Sequence, residues 1–531
     1  MLLSILFAGF ITLLCWYIIK GRTNSSLKLP LPPGPRPLPV IGNVHQVPKT
    51  HAWKQFHAWG KAYGHIIHLN MLGQPIIVVS TTKSAHELLA VRGATFSDRP
   101  RLVLAGELAL KGFNTLLMSY DERFRVHQKL ENSVLNQRTS SAYIPFQEME
   151  SKQMLFDLLQ YAGGVGVDCH PYFERAAAST ILALFYGFRL KSAKDPQLTA
   201  ELTLLDDFSE FVQVGEHIVD TFPILKNLPG FLAPWKAKAE SHWTRQCDLH
   251  NTNLQRGLHA PGWTFVKQLH KTVQEEHIAM STNELALEFG TMFGAALDGT
   301  TETISWFVVA CITQNRDFIT KARKDLDDVV GRDRLPTFED KSNLVYITAI
   351  IEEVMRWRPV GAGGVPHFTK SESSYDGYRI PAGSVVIANH WAITREEGVF
   401  GPDTDSFIPE RWLEPDSDKT GKLKDLPVVG FGYGRRTCPG RHFARNFLWV
   451  VIAQLLWAFD IEAGRSKETG QPEVIDNEAS TDGLVTRPLP FKASLEPRGP
   501  WVRDIIMREC DTHSSDFPTM LSHIGVEVAK R

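Results

Sequence analysis

The chain has 531 residues, of which 43% are apolar and 22% charged, with a formal net charge of −2. That balance excludes a generic nucleic-acid binder, whose phosphate partner requires a basic surface, while thirty Phe and thirteen Trp are ample for a large core. The six cysteines (Cys15, Cys169, Cys247, Cys311, Cys438 and Cys510) are widely spread without a C-x-x-C pair. This spacing argues against a disulfide framework or a zinc site and fits a reducing compartment.

Residues 1–19 carry no charge and are long enough to span a bilayer as one helix. Lys20, Arg22 and Lys28 follow it. Positive charge on that side, without a signal peptide's small-residue cleavage site, predicts a transmembrane anchor that leaves the rest of the chain in the cytosol. Residues 20–37 form a basic, proline-rich hinge ending in Leu29-Pro-Leu-Pro-Pro-Gly-Pro-Arg-Pro37, stiff and unable to be helical.

Residues 65–80 alternate as two strands about a turn at 72–75. Strands are otherwise sparse, and residues 140–360 have mostly helical periodicity. Without repeats or low-complexity runs, residues 38–498 read as a single large domain, mainly α with small β-sheets. Residues 499–531, which carry Arg503, Asp504, Arg508, Glu509 and Asp511, read as a solvated C-terminal extension.

Several stretches carry chemistry. An irregular segment, 98–118, precedes a helix from about Asp121. Ser281-Thr-Asn-Glu284 has capping-box spacing and opens a helix to about Gln314, roughly 45 Å long. Inside it Gly290, Gly294 and Gly299 each need a reason, close packing or a local opening of the hydrogen-bond ladder. Glu353 and Arg356 lie three apart on a helix face, and Phe407-Ile-Pro-Glu-Arg-Trp412 follows. A glycine-rich passage, 360–367, leads to His367 and a strand pair turning through 375–383.

The most specific stretch is Phe431-Gly-Tyr-Gly-Arg-Arg-Thr-Cys-Pro-Gly440. Cys438 sits in a tight loop before an apolar helix, and a helix start favours a thiolate, which is a good axial ligand to haem iron. Phe431 can cover the ring beside the sulfur, Arg436 can reach an anionic haem propionate, and Gly434 and Gly440 permit tight turns. A lone Cys is usually a small buried hydrophobe. A dinucleotide loop fails here because its third glycine would fall at Arg435.

This loop resembles that of the cytochrome P450 superfamily, Phe-x-x-Gly-x-Arg-x-Cys-x-Gly, at Phe431, Gly434, Arg436, Cys438 and Gly440. Its wider details are similar to fungal microsomal enzymes of secondary metabolism, the O-methylsterigmatocystin oxidoreductase-like group. The resemblance implies the cytochrome P450 fold, haem b (iron protoporphyrin IX) with Cys438 as its metal ligand, and Arg436 and His367 on the propionates. It implies a monooxygenase acting on an apolar small molecule, with NADPH-derived electrons from NADPH-cytochrome P450 reductase and from cytochrome b5, anchored by a single pass in the endoplasmic reticulum membrane. Asp298 and Thr300 are implied to relay protons to dioxygen, with Gly299 standing where the family has its first Thr. The family's Trp-x-x-x-Arg pair falls on Phe124 and Gln128, leaving Arg125 and Lys129 as nearby cations. Glu353, Arg356 and Arg411 are implied to form a buried network, and Arg435, Arg441, His442 and Arg445 a basic face for the reductase. A same-fold isomerase or dehydratase working without reductase, and a non-enzymatic haem sensor, remain as alternatives.

Overall fold

The computed structural model describes residues 28–213, 215–415, 422–510 and 517–529. The expected anchor, 1–19, and the start of the hinge lie outside the described residues. Among those described, no helix is long and apolar enough to cross a membrane. Where the sequence suggests one body over 38–498, the chain divides into two compact units, each assembled from segments far apart in sequence.

The smaller unit, among the described residues 28–101, 362–396 and 432–437, carries the four-stranded sheet. Helix α1 (Ala52–Tyr63) lays Phe56 against Ile67 and Leu69 of β1 (Ile66–Met71) and Val78 of β2 (Gln74–Val79). These strands pair antiparallel through Leu72 and Gly73, a tighter turn than 72–75, because both residues take positive φ. β3 (His367–Thr369) joins from the other side, β4 (Ser373–Tyr375) and β5 (Tyr378–Ile380) form a separate hairpin, and β6 (Ser384–Ala388) lies parallel to β2. Ile67, Leu69, Ile77 and Val78 are wholly inside, each worth about 1.5–3 kcal/mol, and since the neighbours Ile77 and Val78 face opposite sides, this end of β2 is covered on both faces. The described end of the hinge is tied to this sheet and to the separate hairpin: His68 N–H on β1 donates to Pro33 O at 3.0 Å, and Arg379 N–H on β5 to Pro30 O at 2.8 Å.

The larger unit, residues 102–361, 397–431 and 438–531, is helical apart from the antiparallel pair β7 (Phe459–Ala463) and β8 (Ala493–Pro497). Its helices include α2 (Glu122–Leu135), α3 (His170–Tyr186), α4 (Pro196–Phe211), α5 (Pro234–His259), α6 (Thr282–Thr313), α7 (Val345–Trp357) and α8 (Arg441–Ala458). α6 is the axle, 32 residues or about 48 Å. It packs against α3, α5, α7 and α8 around the fully buried indoles of Trp306, Trp357, Trp449 and Trp457. Its N-terminus is half of the expected capping box. Ser281 Oγ accepts from Glu284 N–H at 3.1 Å, but the Glu284 carboxylate turns to His127 and Arg123.

The tail is not a solvated extension. Helix α9 (Pro500–Glu509) buries Val502 and Ile506, and α10 (Phe517–Ala529) buries Leu521 and Ile524. Its charges lie on the outer face of an amphipathic helix, and such a helix can be mistaken for a polar tail when only the charges are counted.

Candidate active site around the cysteine loop

In the larger unit, Cys438 N–H donates to Phe431 O at 2.8 Å, which closes the loop just before α8. Cys438 is deeply set yet keeps accessible surface. Burial pushes its thiol up to about 11, while the Gly440 N–H directed at the sulfur pulls it down. The Glu131 carboxyl adds to the rise, and the Arg441 guanidinium and N–H oppose it. Backbone donors aimed at sulfur are what a thiolate needs, and a metal bound there completes the deprotonation that burial resists. The Phe431 ring is half-buried beside Arg445, 5.1 Å from its guanidinium.

The smaller unit brings two arginines together, Arg99 buried and Arg436 half-buried. Arg436 Nε donates to Ser97 O at 2.7 Å. Arg99 Nη1 donates to Pro366 O at 2.7 Å and to Val365 O at 3.2 Å. Burial, then the nearby Arg436, lowers Arg99 to about 9. A buried Arg99 beside a half-buried Arg436 sets two positive charges close together, which suits a partner bearing two carboxylates, as haem does. His367 is not a third cation. It is buried, its Nδ1–H donates to Phe96 O at 2.7 Å, and burial together with Arg99 and Arg436 holds it neutral. Gly434 has φ +51°, and a Cβ there would lie 2.6 Å from Leu89 O, so only glycine suits this approach.

On α6, Asp298 is deeply set with some accessible surface, and its carboxyl is pushed up to about 7 by burial and by Glu302, against the pull of Arg487. Thr300 is buried and the Thr301 hydroxyl is buried without a partner, while Thr303 back-bonds to Gly299 O at 2.7 Å. The helix runs unbroken through all three glycines, so none opens the ladder. Gly290 and Gly294 allow close packing, since an added Cβ would meet His250 Nε2 at 2.3 Å and Leu205 Cδ2 at 2.5 Å. Around Gly299 there is open space.

The network behind the loop forms as the sequence implies. Arg356 reaches both oxygens of Glu353, Arg411 Nε donates to Glu353 at 3.0 Å, and Trp412 Nε1 and Ile408 N–H complete its shell at 2.9 and 2.8 Å. Elsewhere the expectations shift. Phe124 is buried, but Arg125 and Lys129 are exposed and Lys129 pairs with Glu276, so neither supplies an inward charge beside Gln128. Arg445 turns from the basic face to Glu352, at 2.9 Å.

Sequence reasoning passed over the residue between those positions. His127 is fully buried, with Nδ1 2.8 Å from Glu288 and Nε2 2.9 Å from Glu284. Arg99 was also missed. Its Asp98-Arg-Pro setting is a visible signal, whereas nothing in sequence spacing links residue 127 to 284 and 288.

The family pattern described as Cytochrome P450 matches residues 32–495. The chain is 35% identical over 501 residues, 94% of each chain, to Cytochrome P450 monooxygenase aneD of Aspergillus aculeatus. It is 34% identical to Cytochrome P450 monooxygenase FrzL of a Cladobotryum species, covering 97% of this chain and 96% of that one. To Cytochrome P450 monooxygenase drtD of Aspergillus calidoustus it is 35% identical, over 91% and 87%.

Proposed function

The chain belongs to the cytochrome P450 family of haem-thiolate monooxygenases, and from that premise we propose that it oxidises an apolar small molecule of secondary metabolism with electrons that NADPH-cytochrome P450 reductase or cytochrome b5 delivers. The observation that carries the site assignment is Cys438, set at the start of α8 with backbone N–H groups directed at its sulfur. Cys438 is the iron ligand, and Arg436 with Arg99 holds the two propionates. His367, being neutral, orders the Phe96 carbonyl and so supports the segment that carries Arg99. Haem bound at Cys438 supplies dioxygen activation and the insertion of one oxygen atom into substrate.

The protein's own part is to hold, exclude and protonate. Val103, Leu104, Phe211 and Val219 are buried together with Leu484 packed against them, an apolar cluster around the segment that the family resemblance assigns to the substrate, which supports an apolar substrate over a charged one. Asp298, poised near neutrality, can give or take a proton on α6, with Thr300 beside it.

Residues 1–19 form the single-pass anchor in the endoplasmic reticulum membrane. Exposed Ile224, Phe231 and Leu232 support contact with an apolar phase, and the hinge, fastened to β1 and β5, fixes the angle at which the chain leaves the membrane. Residues 38–498 are the catalytic body, which the tail helices support.

The test is incubation of the full chain with reductase, NADPH and apolar metabolites. Product that requires all three is expected, and a reduced carbon-monoxide complex without the red-shifted thiolate band would overturn the assignment. One observation favours a second reading. Gly299 stands in open space where the family places a hydroxyl, which suits rearrangement of an already oxygenated substrate. Product formation without reductase would select it.

A further inference from the structure

Asp298 and Glu302 lie four apart on α6, on one face and about 5–6 Å apart at Cβ. Glu302 is 3% exposed, deep in the larger unit. Its Oε1 is 2.9 Å from His170 Nε2, the first residue of α3. Its Oε2 is buried without a partner. A carboxylate kept only for structure would have both oxygens satisfied, because an orphaned buried oxygen costs about 1–3 kcal/mol. His170 is 25% exposed, and its Nδ1 faces Glu174 at 3.6 Å. The charged groups around this line are Asp168 before α3, Glu174 on α3 and Arg487 on the segment after β7.

We propose that His170, Glu302 and Asp298 form a proton conduit running from solvent at the start of α3 to the middle of α6, with Glu302 as its carrier. It rests on the monooxygenase reading, whose reaction consumes protons in step with electrons from the reductase. The imidazolium passes its Nε2 proton to Glu302 Oε1, which leaves the neutral Nδ1–H tautomer; the part-exposed ring then turns its bare nitrogen to solvent, takes a proton from water and turns back. The Glu302 carboxyl then rotates so that the proton it received faces Asp298, and releases it there directly or through one bridging water. No electron moves, and each group returns to its starting protonation after one proton has crossed. The flanking carboxylates suit His170 to this role, since Glu302 and Glu174 favour its charged form against burial, and the pressure on Asp298 to hold a proton matches the receiving end. Glu302 and His170 are thus positioning residues that act through Asp298.

Two variants test the conduit. Glu302→Gln keeps a hydrogen-bonding group beside His170 but cannot carry a proton, and His170→Gln removes the entry at a partly exposed position where folding is not at stake. Both are made as full-length holoprotein and checked for the thiolate-type carbon-monoxide band. The first readout needs no turnover: acylation of His170 by diethyl pyrocarbonate, mapped by peptide mass across pH about 5 to 8, reports its pKa. The midpoint should fall in Glu302→Gln. The second is peroxide released per NADPH, which should rise roughly tenfold in both variants while substrate binding is kept. Unchanged peroxide yield in both variants overturns the conduit, even if the His170 midpoint moves, because the pair is then an ion pair only. A wild-type protein that never consumes NADPH with reductase would instead overturn the monooxygenase reading, and the conduit with it.

Discussion

Arg356 holds Glu353 by two parallel bonds, Nε at 2.7 Å and Nη2 at 2.8 Å, with both side chains almost fully buried. Its remaining N–H groups donate to Thr404 O and Ser406 O, at 2.7 and 2.9 Å, so the pair fastens α7 to the segment that leads to Arg411. Removing one member leaves an uncompensated buried charge. We expect Glu353→Ala to lose about 3–5 kcal/mol in denaturant unfolding. Arg411→Ala should cost less, because Glu353 keeps Arg356. Equal losses would show that Arg411 and Arg356 share the burden.

His127 gives the chain a pH-dependent tie. Burial alone would lower its pKa, but the carboxylates of Glu284 and Glu288 overcome this and raise it to about 9. The folded value thus exceeds the unfolded one of 6.5. The stabilisation is therefore complete below pH 6.5 and is lost as pH rises through about 9, and its size is on the order of 3 kcal/mol. The melting temperature of wild type should exceed that of His127→Gln at pH about 6 and approach it by pH about 10. A constant gap across that window would mean that His127 is neutral.

Cys438→Ser replaces a thiolate with a hydroxyl that does not ionise at neutral pH. The red-shifted band of the reduced carbon-monoxide complex should vanish, while the apoprotein should melt within about 1 kcal/mol of wild type because the loop closes through backbone groups. Retention of the band would mean that another residue binds iron.

Thr300 and Gly299 separate two accounts of oxygen chemistry on α6. Successive helical positions differ by about 100° in direction, so Thr300 cannot occupy the place of a residue 299 side chain. Thr300→Ala should divert electrons to peroxide with substrate affinity intact, and Thr301→Ala, whose hydroxyl is enclosed, should do less. Gly299→Ala meets no atom and should stabilise the helix by roughly 0.5–1 kcal/mol. Normal product per NADPH in Thr300→Ala would remove Thr300 from the relay.

Much of the site was legible because its chemistry is local in sequence. The loop from Phe431 to Gly440, the Glu353–Arg356 spacing and the start of α6 at Ser281 each depend on neighbours within ten residues. What escaped depends on distant partners. His127 looks like any helical residue until α2 meets α6, and His170 looks like a surface residue until its ring reaches Glu302. The setting of His367 was hidden for the same reason. The resemblance implies a propionate partner there, while a lone histidine is more often structural, and burial together with Arg99 and Arg436 favours its neutral form. The tail was misread because Val502, Ile506, Leu521 and Ile524 are few among many charges.

The packed tail constrains how the chain can be made. Phe517 lies edge-on to Phe146, with ring centroids 5.3 Å apart, and Leu521 is fully enclosed. The helix containing Phe146 (Ile144–Leu159) is synthesised long before α10, so during translation Phe146 waits for its Phe517 partner after α3 and α8 have covered most of that helix. The smaller unit waits too, since the strand of its sheet at 384–388 and the loop at 432–437 emerge hundreds of residues after β1 and β2. The smaller unit cannot close before residue 437 has been made, nor the larger before α10 has. Apolar surface left open during such a delay favours aggregation, so loss of α10 should expose Phe146 and act like a lesion in the core.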